Sequence, residues 1–164
     1  FRERFSCVTM ISNATPIICL GKINKLRLLK DLYGSIIIPE AVKKEVLVKS
    51  KPGFSAIKEA IGNKWIQIET PKKELQLGLG KGENAAISLA KEMNKPLIID
   101  DGRAIKAAQI HGVPVIRTTT LLFQAVKEKK LSKEQALADL NKLIEQGYYI
   151  SPRLYVVLAD TLRK

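Results

Sequence analysis

Residues Pro96–Ile116, PLIIDDGRAIKAAQIHGVPVI, decide the fold. Pro96–Ile99 is a continuous apolar run, the pattern of a strand covered on both faces. Arg103–His111 reads as a helix, with Asp101 ahead of it in a position that suits an N-cap, and Val113–Ile116 reads as the next strand. Two strands joined through a helix run parallel, because a crossover of this length returns the chain to the same end of the sheet.

The same alternation extends in both directions. Upstream, Cys7–Ser12 (CVTMIS) reads as a first strand, and Thr15–Leu20 and Asn24–Tyr33 as helices. Ser35–Ile38 reads as a second strand, stopped by Pro39 at the first position of a helix that runs to about Val48. Phe54–Ile61 reads as another helix and Trp65–Glu69 as an edge strand. After a loop over Leu75–Gly82, an Ala-rich helix runs from Glu83 to about Met93. Downstream, helices follow over Thr120–Lys129, from Ser132 (where SKEQ matches a capping box and Gly147 suits the stop) and from Ser151-Pro152. The class is α/β, a single domain around a mostly parallel sheet.

Composition narrows the function classes. The 164 residues are 46% hydrophobic and 27% charged, which excludes wholesale disorder and a disulfide-dense miniprotein. Subtracting 16 Asp and Glu from 28 Lys and Arg leaves +12, a charge that calls for a polyanionic partner, nucleic acid or an anionic membrane surface. Cys7 and Cys19 show no metal spacing and suit a reducing compartment. No apolar run reaches membrane-spanning length, and the polar interruptions in the first stretch argue against a secretion signal. The expected location is the cytoplasm.

Ligands of a parallel sheet bind beyond the carboxyl ends of its strands. Asn13 follows the first strand there, Glu40 and Glu45 lie in the helix after the second, and Asp100 and Asp101 follow PLII. Glu83 opens the helix before PLII. Adjacent carboxylates after a buried strand are costly unless something neutralises them, and capping accounts for only one of the pair. Glu83 suits a helix first turn whatever its function. Glu40 and Glu45 are spaced to pair with Lys44 and Lys49 as ordinary surface residues.

Other signals carry less. Gly78–Gly82 lacks the Lys-Ser or Lys-Thr of a phosphate-binding loop. His111, the single histidine, suits a helix end, and Ser12 and Ser88 lack a base partner. Tyr148 and Tyr149, beside Ile150, read as packing or a protomer contact rather than as base-stacking groups.

In order and spacing, Asn13, Glu45, Glu83, Asp100 and Asp101 resemble the acidic cluster of the PIN domain, a nuclease fold shared with VapC-type toxins. SNATPIICLGKINKLRLLKDLYGSIIIPEAVKKEV and LGKGENAAISLAKEMNKPLIIDDGRAIKAAQIHGVPVI carry the likeness, which is strongest to a group of prokaryotic PIN-like proteins. The resemblance implies a three-layer sandwich over 1–164, with 131–164 a C-terminal helical extension of the same domain. It implies a metal-dependent endoribonuclease holding Mg²⁺ or Mn²⁺ through Asn13, Glu83, Asp100 and Asp101, with Glu45 orienting the attacking water. Thr15, Arg103 and Lys106 would then contact the nucleic acid, Thr15 alternatively serving as an N-cap before Pro16. For a toxin-type member it further implies an antitoxin protein that blocks the acidic cleft, and a homodimer.

Two departures qualify the resemblance. Asn13 stands where the family has Asp, and Ala85 where relatives often carry a second Glu, so a second metal would bind less tightly. The competing reading is a catalytically degenerate nucleic-acid-binding module. A receiver-like phosphoacceptor ranks third, because receivers place their acid pair after the first strand.

Overall fold

The computed structural model describes residues 8–164. Its sheet holds five parallel strands: β1 (Met10–Ser12), β2 (Ile36–Ile38), β3 (Ile66–Ile68), β4 (Leu97–Ile98) and β5 (Val115–Ile116), in the order β3-β2-β1-β4-β5. Every residue of β1, β2 and β4 is buried, as continuous apolar strands under helices on both faces require. The flanking helices are α1 (Ala14–Lys22), α2 (Arg27–Tyr33), α3 (Glu40–Val46), α4 (Phe54–Gly62), α5 (Lys81–Met93), α6 (Gly102–Ile110), α7 (Thr118–Lys127), α8 (Lys133–Glu145) and α9 (Pro152–Arg163). α3 packs on α1 and α5, α2 on α7, and α8 on α1, α7 and α9. Among the described residues no helix is long and apolar enough to cross a membrane.

From β1 the chain steps outward through β2 to the edge strand β3, then crosses back to lay β4 on the other side of β1 and β5 beyond it. The order reverses between β1 and β4, whose register pairs Ile11 with Leu97 and Ser12 with Ile98. A crevice opens beyond the carboxyl ends at such a reversal, because the connections leave in opposite directions.

Several boundaries differ from those the sequence predicts. The first strand begins at Met10, with Cys7 outside the described residues. The second helix starts at Arg27, because Asn24 adopts a left-handed φ of 60° and the N–H of Lys25 bonds back to Leu20. Pro39 is the extended N-cap of α3 rather than its first residue, and α3 ends at Val46. α7 starts at Thr118, two residues before the expected Thr120, for a reason that lies in the site. α1 and α4 approach closely through glycine: a Cβ on Gly53 would lie 3.0 Å from the backbone of Gly21, and Gly53 itself sits at φ +86°.

Candidate functional site

β1 and β4 point their carboxyl ends at the reversal, setting Asn13 and Asp100 side by side at its lip, and the Asn13 N–H donates to Ile98 O at 3.0 Å. α5 precedes β4 and runs back across the sheet, so its N-terminus, with Glu83, arrives at the same edge. β5 ends there too and delivers Arg117 and Thr118. Sheet topology alone therefore brings these residues to one rim.

A cleft of about 460 Å³ opens over β4, lined by Thr15 and Cys19 of α1, by Asp100 and Asp101, by Arg117, and by the Gly147–Tyr149 turn after α8. Both oxygens of Asp100 are engaged. Thr118 donates its N–H to Oδ1 at 2.9 Å and its hydroxyl to Oδ2 at 2.6 Å, and the Tyr148 hydroxyl donates to Oδ1 at 2.7 Å. The first of these bonds satisfies a free N–H at the start of α7, which is why that helix begins at Thr118. Burial, and then the Asp100 carboxylate, raise the Tyr148 hydroxyl pKa, so it remains a protonated donor. Burial followed by Asp100 likewise raises the Cys19 thiol to about 11 against the opposing pull of Lys22, which keeps it un-ionised and a poor nucleophile.

Asp101 caps α6, its Oδ2 accepting from Ala104 N at 2.9 Å, while Oδ1 has no partner among the described residues. Asn13 occupies the N-cap position of α1 but its side chain makes no capping bond, although the residue is only 5% exposed. That leaves its amide uncommitted at the lip. Thr15 lies within α1 and is exposed, so it is no N-cap. Arg103 and Lys106 are exposed on α6.

The other acids meet on the far side of β1. α3 packs on α5 and lays the Glu45 carboxylate over Gly82, next to Glu83. Desolvation, and then the Glu83 charge, raise the Glu45 pKa, with the Gly82 N–H and Lys51 drawing it back. Glu83 spends Oε1 on the Gly80 N–H at 3.2 Å, the half of a capping box that a glycine N-cap permits. The surface pairs Glu40–Lys44 and Glu45–Lys49 do not form among the described residues, where ion pairs such as Lys25–Asp139 and Arg27–Asp31 do.

Glu45 makes two predictions. A carboxyl with a raised folded pKa contributes stability below its ordinary value, near 4.5, that is lost as pH rises through the folded value. Glu45→Gln is therefore expected to melt about 1–2 °C above the wild type at pH 7 in EDTA, the advantage vanishing below pH 4, as read by calorimetry across pH. The second concerns Gly82, where a Cβ would run into the Glu45 carboxylate. The side chain can swing aside, and Ala is the better helix former by up to about 1 kcal/mol. Gly82→Ala is expected to keep or raise the Tm while moving Glu45 off Glu83, returning the Glu45 pKa toward its ordinary range in a carboxyl-resolved NMR titration.

The residues singled out from sequence thus fall into two acidic pairs, Asp100–Asp101 and Glu45–Glu83, with Asn13 at the lip. Among the described residues no three Asp, Glu, Cys or His side chains converge on one point. The donors are all oxygen, which suits a hard cation, and two features leave room for one. The Glu45–Glu83 repulsion is only partly offset by the Gly82 N–H and Lys51, and the buried Asn84 Oδ1, on the residue after Glu83, has no hydrogen-bond partner. The sequence did not point to Asn84 or Arg117 as site residues, and it paired neither Thr118 nor Tyr148 with Asp100. The available signal was positional: Arg117-Thr118 follows its strand as Asp100-Asp101 follows β4.

The comparisons with known proteins come to the same fold. A family model, DUF3368, described as a PIN domain, matches residues 9–163. Among solved structures, the chain is similar to a PilT N-terminus domain protein from the hyperthermophilic archaeon Sulfolobus solfataricus P2, with a TM-score of 0.50 and 22% identity. The match covers 72% of this chain and 94% of that one. The search of curated proteins finds no match.

Proposed function

Because the chain belongs to the PIN-domain family, generally a nuclease fold and typically a divalent-metal-dependent one, we propose that it is a metal-dependent endoribonuclease hydrolysing RNA phosphodiester bonds. The observation that carries this reading is the gathering of Asn13, Glu83, Asp100 and Asp101 at the carboxyl edge where the strand order reverses, with Glu45 turned onto Glu83. In a chain of +12 these acids sit in a field that draws in a polyanion.

Of the residues expected as ligands, Asp101 would hold Mg²⁺ or Mn²⁺ through its free Oδ1 and Asn13 through its amide oxygen, with Asp100 and Glu83 adding negative charge around the ion rather than a third converging carboxylate. Bound there, the cation would offset carboxylate repulsion, lower the pKa of a water and stabilise charge on the phosphoryl oxygens. Glu45 acts as the proton acceptor, since a carboxylate with a raised pKa takes a proton from water more readily than an ordinary one. Arg103, Lys106 and the Thr15 hydroxyl, all exposed, hold the phosphate backbone, Thr15 from the cleft lining and the two cations from the helix that Asp101 caps.

The test is cleavage of labelled single-stranded RNA, with single-stranded DNA alongside, in Mn²⁺, Mg²⁺ or EDTA. Activity should follow the protein peak through a sizing column and fall in Asp101→Asn purified identically, which separates it from a contaminating ribonuclease. Metal-dependent cutting of RNA supports the reading. Asn13 in place of Asp favours one alternative, a binding module without chemistry, and RNA bound in a salt-sensitive way without cleavage would establish that instead.

A further inference from the structure

Tyr149 is 84% exposed, yet it lies on the rim of the acid cleft and its neighbours are fixed. Tyr148 is buried and tied to Asp100 at 2.7 Å, and Ile150 packs on the core. The backbone on either side is therefore anchored, and the ring stands in solvent on the cleft that Asp101 also lines. Isolated apolar side chains on a surface need no explanation. A tyrosine on an anchored backbone beside two carboxylates and a cation is a different arrangement, because with only two side-chain torsions it costs little entropy to use. Arg117 lies across the same cleft, exposed and without a salt bridge among the described residues.

Resting on the nuclease reading above, we infer that Tyr149 is a stacking platform for an unpaired nucleobase, with Arg117 holding the phosphate beside it. A π-face accepts any base, whereas the bases of a duplex already have their faces covered. The cleft, at about 460 Å³, lies within the range of about 300–1,000 Å³ typical of small-ligand sites, enough for one splayed nucleotide. The net charge of +12 favours this occupant over an acidic-residue-poor peptide, and the Arg117 guanidinium suits a phosphate's geometry. Tyr148 is a positioning residue: its bond to Asp100 sets where the platform stands.

The experiment measures binding of a fluorescein-labelled single-stranded RNA about ten nucleotides long, and of a duplex of equal length, by anisotropy in EDTA with the full chain. Tyr149→Ala is expected to weaken single-strand binding about 5- to 150-fold and to leave duplex binding unchanged, while Tyr149→Trp retains the wild-type value. Arg117→Gln should reduce the slope of log K against log salt by about 0.7. Equal single-strand affinity for Tyr149→Ala and wild type would overturn the inference while leaving the nuclease reading intact, since cleavage is measured separately. A wild type that neither binds nor cleaves RNA would overturn both. A loss shared equally by the duplex would also overturn the inference, because stacking on a splayed base cannot produce it.

Discussion

Asp101→Asn is expected to cut RNA at least about 100-fold more slowly than the wild type while melting within about 3 °C of it. The two halves of this result have separate causes. Asn caps a helix as well as Asp does, so the bond to Ala104 N survives and only the dipole interaction, about 0.3–1 kcal/mol, is lost. The change removes the negative charge of an oxygen that has no other partner among the described residues. A cation or a proton in the cleft would depend on that charge. Ala at the same position would confuse the result, because losing the cap costs about 1 kcal/mol on its own. The assay is initial-rate cleavage in Mn²⁺, beside a melting curve, on proteins purified identically. Cleavage by Asp101→Asn at the wild-type rate would remove Asp101 from the chemistry.

The second large effect is on stability. Asp100→Ala is expected to destabilise the fold by about 2–4 kcal/mol, lowering the Tm by roughly 5–15 °C. Three donors lose their acceptor at once: the Thr118 N–H, the Thr118 hydroxyl and the Tyr148 hydroxyl. Thr118 is fully buried and Tyr148 nearly so, so water does not readily replace the carboxylate. Leaving a buried donor unsatisfied costs about 1–3 kcal/mol, and some relaxation of Tyr148 toward solvent limits the sum. Tyr148→Phe is the milder counterpart. It removes one donor, leaves Asp100 with both bonds from Thr118, and should cost about 1 kcal/mol. Thermal melts of both variants, read by circular dichroism, check the order. Equal, small losses would mean that the three bonds do not act as one network across β4, α7 and the turn after α8.

The contrast between Asp100 and Asp101 also marks what could be read from sequence. Asp101 as an N-cap follows from the residues after it, since the bond it makes is only three positions away. Ser132 with Gln135 and Ser151 with Leu154 are legible for the same reason. Continuous runs such as Ile36–Ile38 and Leu97–Ile98 specify strands covered on both faces, and the alternation in Trp65–Glu69 specifies an edge strand, which β3 is. The class, the order of elements and the acids beyond the strand ends follow from these local patterns.

What Asp100 does could not be read this way. Its donors stand 18 and 48 residues along the chain, and no local pattern links them. The start of α7 shifted for the same cause, because Thr118 begins the helix where a carboxylate from another strand accepts its N–H. Glu45, spaced to pair with a lysine one turn on, instead turns onto Gly82 and Glu83, because α3 packs against α5 and glycine leaves the room. The strand order, and the reversal between β1 and β4 that gathers the polar residues into one rim, are likewise properties of chain crossing. Sequence by itself determined the capped helices, the buried strands and the stock of acids, each stabilised by neighbours within a few residues. Tertiary structure decided which acid is spent on holding the fold and which is left free, because burial and hydrogen bonds between distant segments exist only once the sheet has assembled.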